Sequence, residues 1–246
     1  MALRKVAWGG MRSRKWIAIG LAAAIGAAFL AVQVVYPRLE YAARGYSVRG
    51  VDVSGHQGAI DWDLLKADGV GFAYIKASEG ETFNDARFSR NWYAAEQVGI
   101  LRGAYHFFTQ CRPGKAQAQN FIRIVPVDPN ALPPVVDAEH MGPCRQTPAV
   151  KDVAAEIEVF LAALQAHYKL RPIIYTTRQF HDAYLAGKFP KERFWIRELF
   201  RTPRFRENQW VFWQYHHSGR RAGVSGPVDL NAFKGTQAEL EALRKP

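Results

Sequence analysis

The segment Pro133-Pro134-Val135-Val136-Asp137-Ala138-Glu139 carries the strongest fold signal in the chain. A short apolar run, typical of a buried strand, leads directly into two carboxylates at positions i and i+2. Because side chains on a strand alternate faces, Asp137 and Glu139 are expected to point the same way, about 6.6 Å apart along the backbone. Two acids this close disfavour simultaneous ionisation, so one can stay protonated near neutral pH and donate its proton to a leaving oxygen. The alternative is a solvated strand end that caps the next helix.

Seven further apolar, β-rich runs surround this one, at residues 51–53, 72–76, 103–108, 173–176, 194–196, 210–215 and 228–230. Helical patterns separate the early runs, at 61–67, 86–98, 115–124 and 150–168, with Asn84 and Asp85 as expected caps of the second. Strands that alternate with helices predict parallel pairing through βαβ crossovers. The chain is therefore expected to be an α/β protein, an irregular, shortened TIM-like β/α barrel whose final third has few helices.

The active site of such a barrel lies at the C-terminal ends of its strands. Asp52 follows the first strand and Asp229 lies in the last. Neighbouring first and last strands would bring these two acids together, although each taken singly also fits a loop-capping aspartate. Other polar or aromatic residues expected to line the cleft are Lys76, Glu79, Tyr105, His106, Tyr175, Trp195 and Gln214.

Some residues at the strand ends have a structural interpretation of equal or greater weight. Core packing is favoured for Phe107 and Trp213, and His106 also fits a hydrogen-bonded polar core residue. No second histidine stands at metal-ligand spacing from His106, and the adjacent His216 and His217 would face opposite sides of a strand. We therefore expect neither a metal site nor a cofactor.

The N-terminal sequence indicates the cellular location of the protein. Residues 1–15 carry five positive charges and no acid, and residues 16–36 carry no charge, which matches the roughly 20 apolar residues of a membrane span. The basic segment is expected to stay in the cytoplasm. Residues 16–36 would then anchor the protein in the inner membrane by a single pass, with linker 37–45 and catalytic domain 46–246 on the periplasmic or extracellular side. The alternative is secretion after signal cleavage.

The amino-acid composition limits which kinds of binding partner are expected. The chain is 48% hydrophobic and 22% charged, which excludes disorder as its main state. Of its net charge of +11, +6 remains after the basic N-terminus is set aside, and such a surplus suits an anionic partner. No Lys/Arg-rich run follows the N-terminal segment, so a nucleic-acid partner is not expected. Cys111 and Cys144 both fall on the exported side, where a disulfide is expected, with two unpaired buried thiols as the alternative.

The ordered motifs of residues 48–233 resemble those of the glycoside hydrolase family 25 muramidases, or Chalaropsis-type lysozymes. They are GVDVSGHQG, AYIKASEG, the stretch 83–92, GAYHFF, PPVVDAE, IIYT, WQY and VDLN. The resemblance implies a shortened, irregular β/α barrel. It also implies cleavage of the β-1,4 bond between N-acetylmuramic acid and N-acetylglucosamine in peptidoglycan. We expect the protein to be a monomer.

The resemblance also implies roles for the acids. Glu139 would be the general acid, and Asp137 would assist the acetamido group of the substrate or stabilise charge at the anomeric carbon. Asp52 and Asp229 would complete the acidic floor of the cleft. Retention with substrate assistance is the implied outcome, although carboxylate separation decides it.

One motif departs from the family pattern. Trp195-Ile196 is often followed there by a small residue and an aromatic, whereas here Arg197-Glu198-Leu199 follows. This brings charge and bulk near the cleft and affects subsite preference. Two alternatives stay open: a catalytically silent wall-binding module that retains the cleft, and a metal-dependent amidase or deacetylase, which the lack of a His/Asp ligand cluster disfavours.

Overall fold

The computed structural model describes residues 16–27, 40, 42–140, 144 and 150–245. Within these residues nine strands form one sheet, and eight of them close into a barrel because β1 pairs with β2 as well as with β9. The two-residue β3 pairs with β2 outside the closed circuit. The strands are β1 (Arg49–Val53), β2 (Phe72–Glu79), β3 (Phe83–Asn84), β4 (Leu101–Phe107), β5 (Val135–Ala138), β6 (Ile173–Thr177), β7 (Arg193–Arg197), β8 (Trp210–Gly219) and β9 (Val228–Phe233).

The direction of the last strand differs from the parallel pairing predicted for strands that alternate with helices. Seven barrel strands run parallel, but β9 is antiparallel to both of its neighbours, β8 and β1. The connection from β8 to β9 contains no helix, so the chain returns as a hairpin instead of crossing over. As a result, the N-terminal end of β9 lies beside the C-terminal ends of the other strands.

Five helices surround or close the barrel: α1 (Trp62–Ala67), α2 (Phe88–Gln97), α3 (Gly114–Ile124), α4 (Val150–Tyr168) and α5 (Gln237–Ala242). Shorter helical turns occupy Gly55–Gln57, Arg178–Phe180 and His181–Leu185. The four predicted helices are present, and connections after β7 are helix-poor as expected. The predicted caps of α2 are wrong, because that helix starts at Phe88 without a side-chain cap.

The barrel interior is filled by stacked layers of aromatic side chains up to its mouth. Phe72 packs against Phe212 with ring centroids 5.1 Å apart, and above them Tyr74 packs against Trp195 at 5.0 Å. Tyr74 occupies the space beside Gly103, where a β-carbon would come within 2.3 Å of its ring. These rings fill the interior below the mouth, and a cavity lies above them at the C-terminal ends of the parallel strands.

A disulfide joins Cys111 in the loop after β4 to Cys144 in the loop after β5, with their Cα atoms 5.6 Å apart. The predicted bridge is thus present. Of the predicted membrane-spanning segment, the structure describes only residues 16–27, which are helical, and residues 28–36 lie outside the described residues. In the described part of the chain, no helix is long and apolar enough to cross a bilayer.

Candidate active site

A cavity of about 510 Å³ opens at the C-terminal ends of the parallel strands. It contains all four predicted acids and six of the seven other residues predicted to line the cleft. The lining residues are Asp52, Val53, Ser54, His56, Gln57, Lys76, Glu79, Tyr105, Phe107, Asp137, Glu139, Tyr175, Trp195, Arg197, Gln214, His217 and Asp229.

Asp137 of β5 and Glu139, which directly follows this strand, enter the cavity from the same side, as strand alternation predicts. Asp137 stands in register with Tyr175 of β6, and its buried Oδ1 has no hydrogen-bond partner in the described structure. Burial raises the pKa of Asp137 well above its usual value, and the charges of Glu139 and Asp52 raise it further. A buried, unpartnered carboxyl oxygen is costly, which suggests that a ligand donor completes it.

Glu139 follows the last residue of β5, and 8% of its surface is exposed. Burial raises its pKa, whereas the positive charge of Arg197, whose Nη1 lies 3.8 Å from Oε2, opposes this rise. Gln110 donates a hydrogen bond from Nε2 to the backbone oxygen of Glu139 at 2.7 Å, which ties the acid to the loop of the disulfide. Burial thus shifts the Glu139 carboxyl group towards its protonated form, and the group still faces the cavity.

The carboxylate of Asp52 is held by two side-chain amides. Gln214 donates from Nε2 to Oδ2 at 2.9 Å, and Asn231 donates from Nδ2 to the same oxygen at 2.7 Å. The orientation of each amide is fixed by a second bond to its oxygen. Tyr175 donates its hydroxyl to Gln214 Oε1, and Trp195 donates Nε1 to Asn231 Oδ1, both at 2.9 Å. This buried network fixes the position of Asp52 at the cavity floor.

Asp229 completes a second acid pair. Asp52 of β1 and Asp229 of β9 are register partners, and their side chains are hydrogen-bonded. Burial and the neighbouring charge of Asp52 raise the pKa of Asp229 to about 9. Burial raises the pKa of Asp52 as well, so the pair holds a proton at neutral pH in the hydrogen bond between the two carboxyl groups. The predicted approach of these two acids is confirmed, although it occurs through antiparallel pairing.

Two strand bulges bring additional side chains into the cavity. A register shift in β2 between Lys76 and Ser78 puts Lys76 and Glu79 on the same side, and Lys76 Nζ donates to Glu79 Oε2 at 2.7 Å. A shift in β8 between Gln214 and His216 likewise lets His217 face the cavity with Gln214. A bulge inserts one residue and thus changes which residues share a face.

His106 is not part of the cavity, contrary to the prediction that it lines the cleft. Strand alternation turns Tyr105 inward and His106 outward, towards α3 and α4. There its Nδ1 lies 2.8 Å from Ser78 Oγ and its Nε2 lies 3.2 Å from Gln117 Oε1. Burial lowers the pKa of His106 to about 3. His106 is therefore a neutral, hydrogen-bonded core residue, the alternative left open by the sequence.

Several cavity residues were not predicted. Phe107 was assigned to the core but contacts the cavity, where its ring lies 4.9 Å from Lys76 Nζ. Trp213, in contrast, packs in the outer core as expected. Others are Ser54, His56, Gln57 and His217, and Asn231 supports the site through its bond to Asp52. Arg197 also lines the cavity, as its place directly after Trp195-Ile196 led us to expect. The polar turn after the first strand could have indicated Ser54, His56 and Gln57, and the VDLN motif could have indicated Asn231.

The cavity combines carboxyl groups that favour protonation with fixed amide and hydroxyl donors and aromatic walls. Such a set can protonate a leaving oxygen and bind a polar, uncharged backbone. Within the described ranges, no group of three or more His, Cys, Asp or Glu side chains is arranged to hold a metal ion.

Comparison with known protein families identifies the family of this chain. The profile of Glycosyl hydrolases family 25 matches residues 51–224. The chain belongs to glycosyl hydrolases family 25. The matched region includes Asp52, Asp137 and Glu139, whereas Asp229 follows it.

Family 25 relatives share most of the chain. Lysozyme M1 of Streptomyces globisporus is 38% identical over 213 residues, which cover 80% of this chain and 71% of that protein. A family 25 glycosyl hydrolase from Bacillus anthracis has a solved structure with a TM-score of 0.76 and 39% identity, covering 81% of this chain and 94% of the other. For the bacterial lysozyme from Streptomyces coelicolor, the TM-score is 0.74 at 38% identity, with 80% and 97% covered. This family 25 protein is accordingly a glycosidase of the muramidase type.

Proposed function

We propose that this protein is an N-acetylmuramidase that cleaves the β-1,4 bond between N-acetylmuramic acid and N-acetylglucosamine in peptidoglycan. The observation that carries the proposal is the β5 acid pair at the mouth of a family 25 barrel, with Glu139 buried but facing the cavity. The names of the lysozyme relatives support the substrate class.

Glu139 would act as the general acid. Burial raises its pKa, and the proton of the carboxyl group would pass to the glycosidic oxygen as the bond from that oxygen to the anomeric carbon breaks. In the second step the resulting carboxylate would accept a proton from the attacking water.

Asp137 would orient the acetamido group of the muramyl residue. Its unpartnered Oδ1 can accept a hydrogen bond from the acetamido N–H. This bond would turn the acetamido carbonyl oxygen towards the anomeric carbon, where it displaces the leaving group and is itself displaced by water. The reaction would then proceed with retention.

Asp52 and Asp229 would form the acidic floor below the reacting centre. The amides of Gln214 and Asn231 hold Asp52 in place, so its charge or its shared proton faces a fixed point in the cavity. The remaining predicted cleft residues, Lys76, Glu79, Tyr105, Tyr175 and Trp195, would line the substrate subsites.

The site of action would be the cell wall next to the inner membrane. Residues 16–36 would anchor a monomer whose catalytic domain, 46–246, lies on the outer side, with a role in wall remodelling or lysis. The uncharged composition of that segment supports this proposal, and secretion after signal cleavage is its alternative.

The test is incubation of the purified full-length protein with isolated peptidoglycan, followed by mass spectrometry of the new reducing ends. Muramic-acid reducing ends are expected. Glucosamine reducing ends, or intact strands that the folded protein merely binds, would contradict the proposal.

A further inference from the structure

Arg197 occupies an unusual position at the end of β7. Two of the cavity-lining side chains in the described structure are cationic, Lys76 and Arg197. Lys76 is ion-paired with Glu79 at 2.7 Å. The Arg197 side chain makes no hydrogen bond to any described residue, and its ion pair with Glu139 is long at 3.8 Å. Its guanidinium thus has spare donors directed at open space, with 29% of the side chain exposed.

The neighbouring arginines, unlike Arg197, form ion pairs outside the cavity. Arg178 and Arg201 both pair with Glu198, at 3.6 and 3.2 Å, and neither lines the cavity. Glu198 therefore balances the positive charges of Arg178 and Arg201 but not that of Arg197. Of Arg178, Arg197 and Arg201, only Arg197 lines the cavity.

The ion pair with Glu139 is weakest when the enzyme is ready to react. A general acid must be protonated before it donates, and a protonated Glu139 gives Arg197 no negative partner. The other titratable groups of the cavity near Arg197 are Asp52, Asp229, Tyr175 and His217. Asp52 is already held by two amides and shares the proton of Asp229, so its charge is already balanced by neutral donors.

We infer that Arg197 binds a carboxylate of the substrate, the lactyl carboxylate of a muramyl residue. The inference rests on the proposed function and deepens it. Muramyl residues carry a lactyl group and glucosamine residues do not. The lactyl carboxyl is anionic in peptide-free strands and becomes a neutral amide where a peptide stem is attached. A guanidinium fork matches a carboxylate with two parallel hydrogen bonds, so Arg197 selects glycan strands from which the peptides have been removed.

A different role for Arg197 would be charge compensation of the acids without substrate contact. The two roles predict different behaviour when only the substrate changes. Charge compensation affects all glycans equally, whereas carboxylate binding affects only glycans with a free lactyl group.

The test compares peptide-free glycan strands with the same strands after their lactyl carboxyls are converted to neutral methylamides. For the full-length protein, we expect a KM about tenfold lower on the carboxylate form. Arg197→Gln removes this preference, so that the ratio of the two KM values approaches one whatever the change in kcat, and Arg197→Lys retains part of it. Arg201→Gln is the matched control, because Arg201 is exposed and outside the cavity, and it keeps the wild-type preference.

Equal losses on both substrates in Arg197→Gln, or a preference that survives this substitution, would overturn the inference. Calorimetric titration of Glu139→Gln, with and without Arg197→Gln, measures the same preference without turnover. A protein that hydrolyses neither glycan would count against the proposed function, while the titration still decides whether Arg197 binds the carboxylate.

Discussion

Asp52 on β1 and Asp229 on β9 lie opposite each other across an antiparallel strand pair, and their carboxyl groups share a hydrogen bond. The pair holds one proton at neutral pH, because burial and the Asp52 charge raise the pKa of Asp229 to about 9. This arrangement has a consequence for stability, since the unfolded chain releases that proton at its ordinary, much lower pKa.

Asp229→Asn is expected to flatten the pH dependence of stability. The native state holds more protons than the unfolded state between the unfolded pKa of 3.8 and about 9. The free energy of unfolding of the wild type therefore falls as the pH rises through this window. Asparagine can still donate to Asp52 but does not titrate, so the variant should gain roughly 1 kcal/mol or more relative to wild type between pH 5 and pH 8. Urea unfolding at both pH values measures this gain, and parallel curves for the two proteins would contradict the shared proton.

Asn231→Ala is expected to weaken both the fold and the site. The substitution removes the bond to Asp52 and leaves the buried Nε1 of Trp195 without an acceptor, which costs about 1–3 kcal/mol. Asn208→Ala is the matched control, because Asn208 is exposed, and it should change stability by no more than about 0.5 kcal/mol. Chemical denaturation compares the two, and equal effects would argue against a structural role for the amide.

His106→Gln separates core packing from catalysis. His106 is fully buried outside the cavity, so the variant should lose about 1–3 kcal/mol while kcat/KM of the folded protein stays within a few-fold. The histidine pKa of about 3 adds a pH signature. Because the unfolded histidine takes up a proton below about pH 6.5, wild-type stability falls from there towards pH 3, and this fall should be smaller in the variant. A large loss of kcat/KM in the folded variant would place His106 back in the site.

Removal of the disulfide by Cys111→Ser with Cys144→Ser should destabilise the protein by about 2–4 kcal/mol. The loop that contains Cys111 also carries Gln110, which binds the backbone oxygen of Glu139. We therefore expect a lower kcat as well, because the general acid loses part of its support. Thermal unfolding and glycan hydrolysis measure the two effects, and a fully active double variant would show that the bridge does not support Glu139.

Local patterns in the sequence were enough to locate the strands and most of the acids. Apolar runs such as Val135–Ala138 end in polar residues, and the β/α barrel rule places those residues at one mouth. Long-range pairing was not available from the sequence. The direction of β9 depends on a hairpin, and the common orientation of Lys76 and Glu79 depends on a bulge against β4.

The error on His106 has the same origin. Its neighbour Tyr105 points inward, so alternation turns His106 to the helices, but the sequence does not show which member of the pair faces the barrel axis. The amide network around Asp52 also joins residues 162 and 179 positions apart, a contact that only the closed barrel creates.

Leaving groups of different acidity distinguish a general-acid role of Glu139 from other roles. Glu139→Gln is compared with the wild type on glycan strands and on an aryl glycoside whose aglycone departs without protonation. We expect a loss of roughly 10²–10⁴-fold in kcat on glycan strands, and near wild-type formation of the first product from the aryl glycoside. An equal loss on both substrates in a folded variant, or full activity on glycan strands, would show that Glu139 is not the general acid.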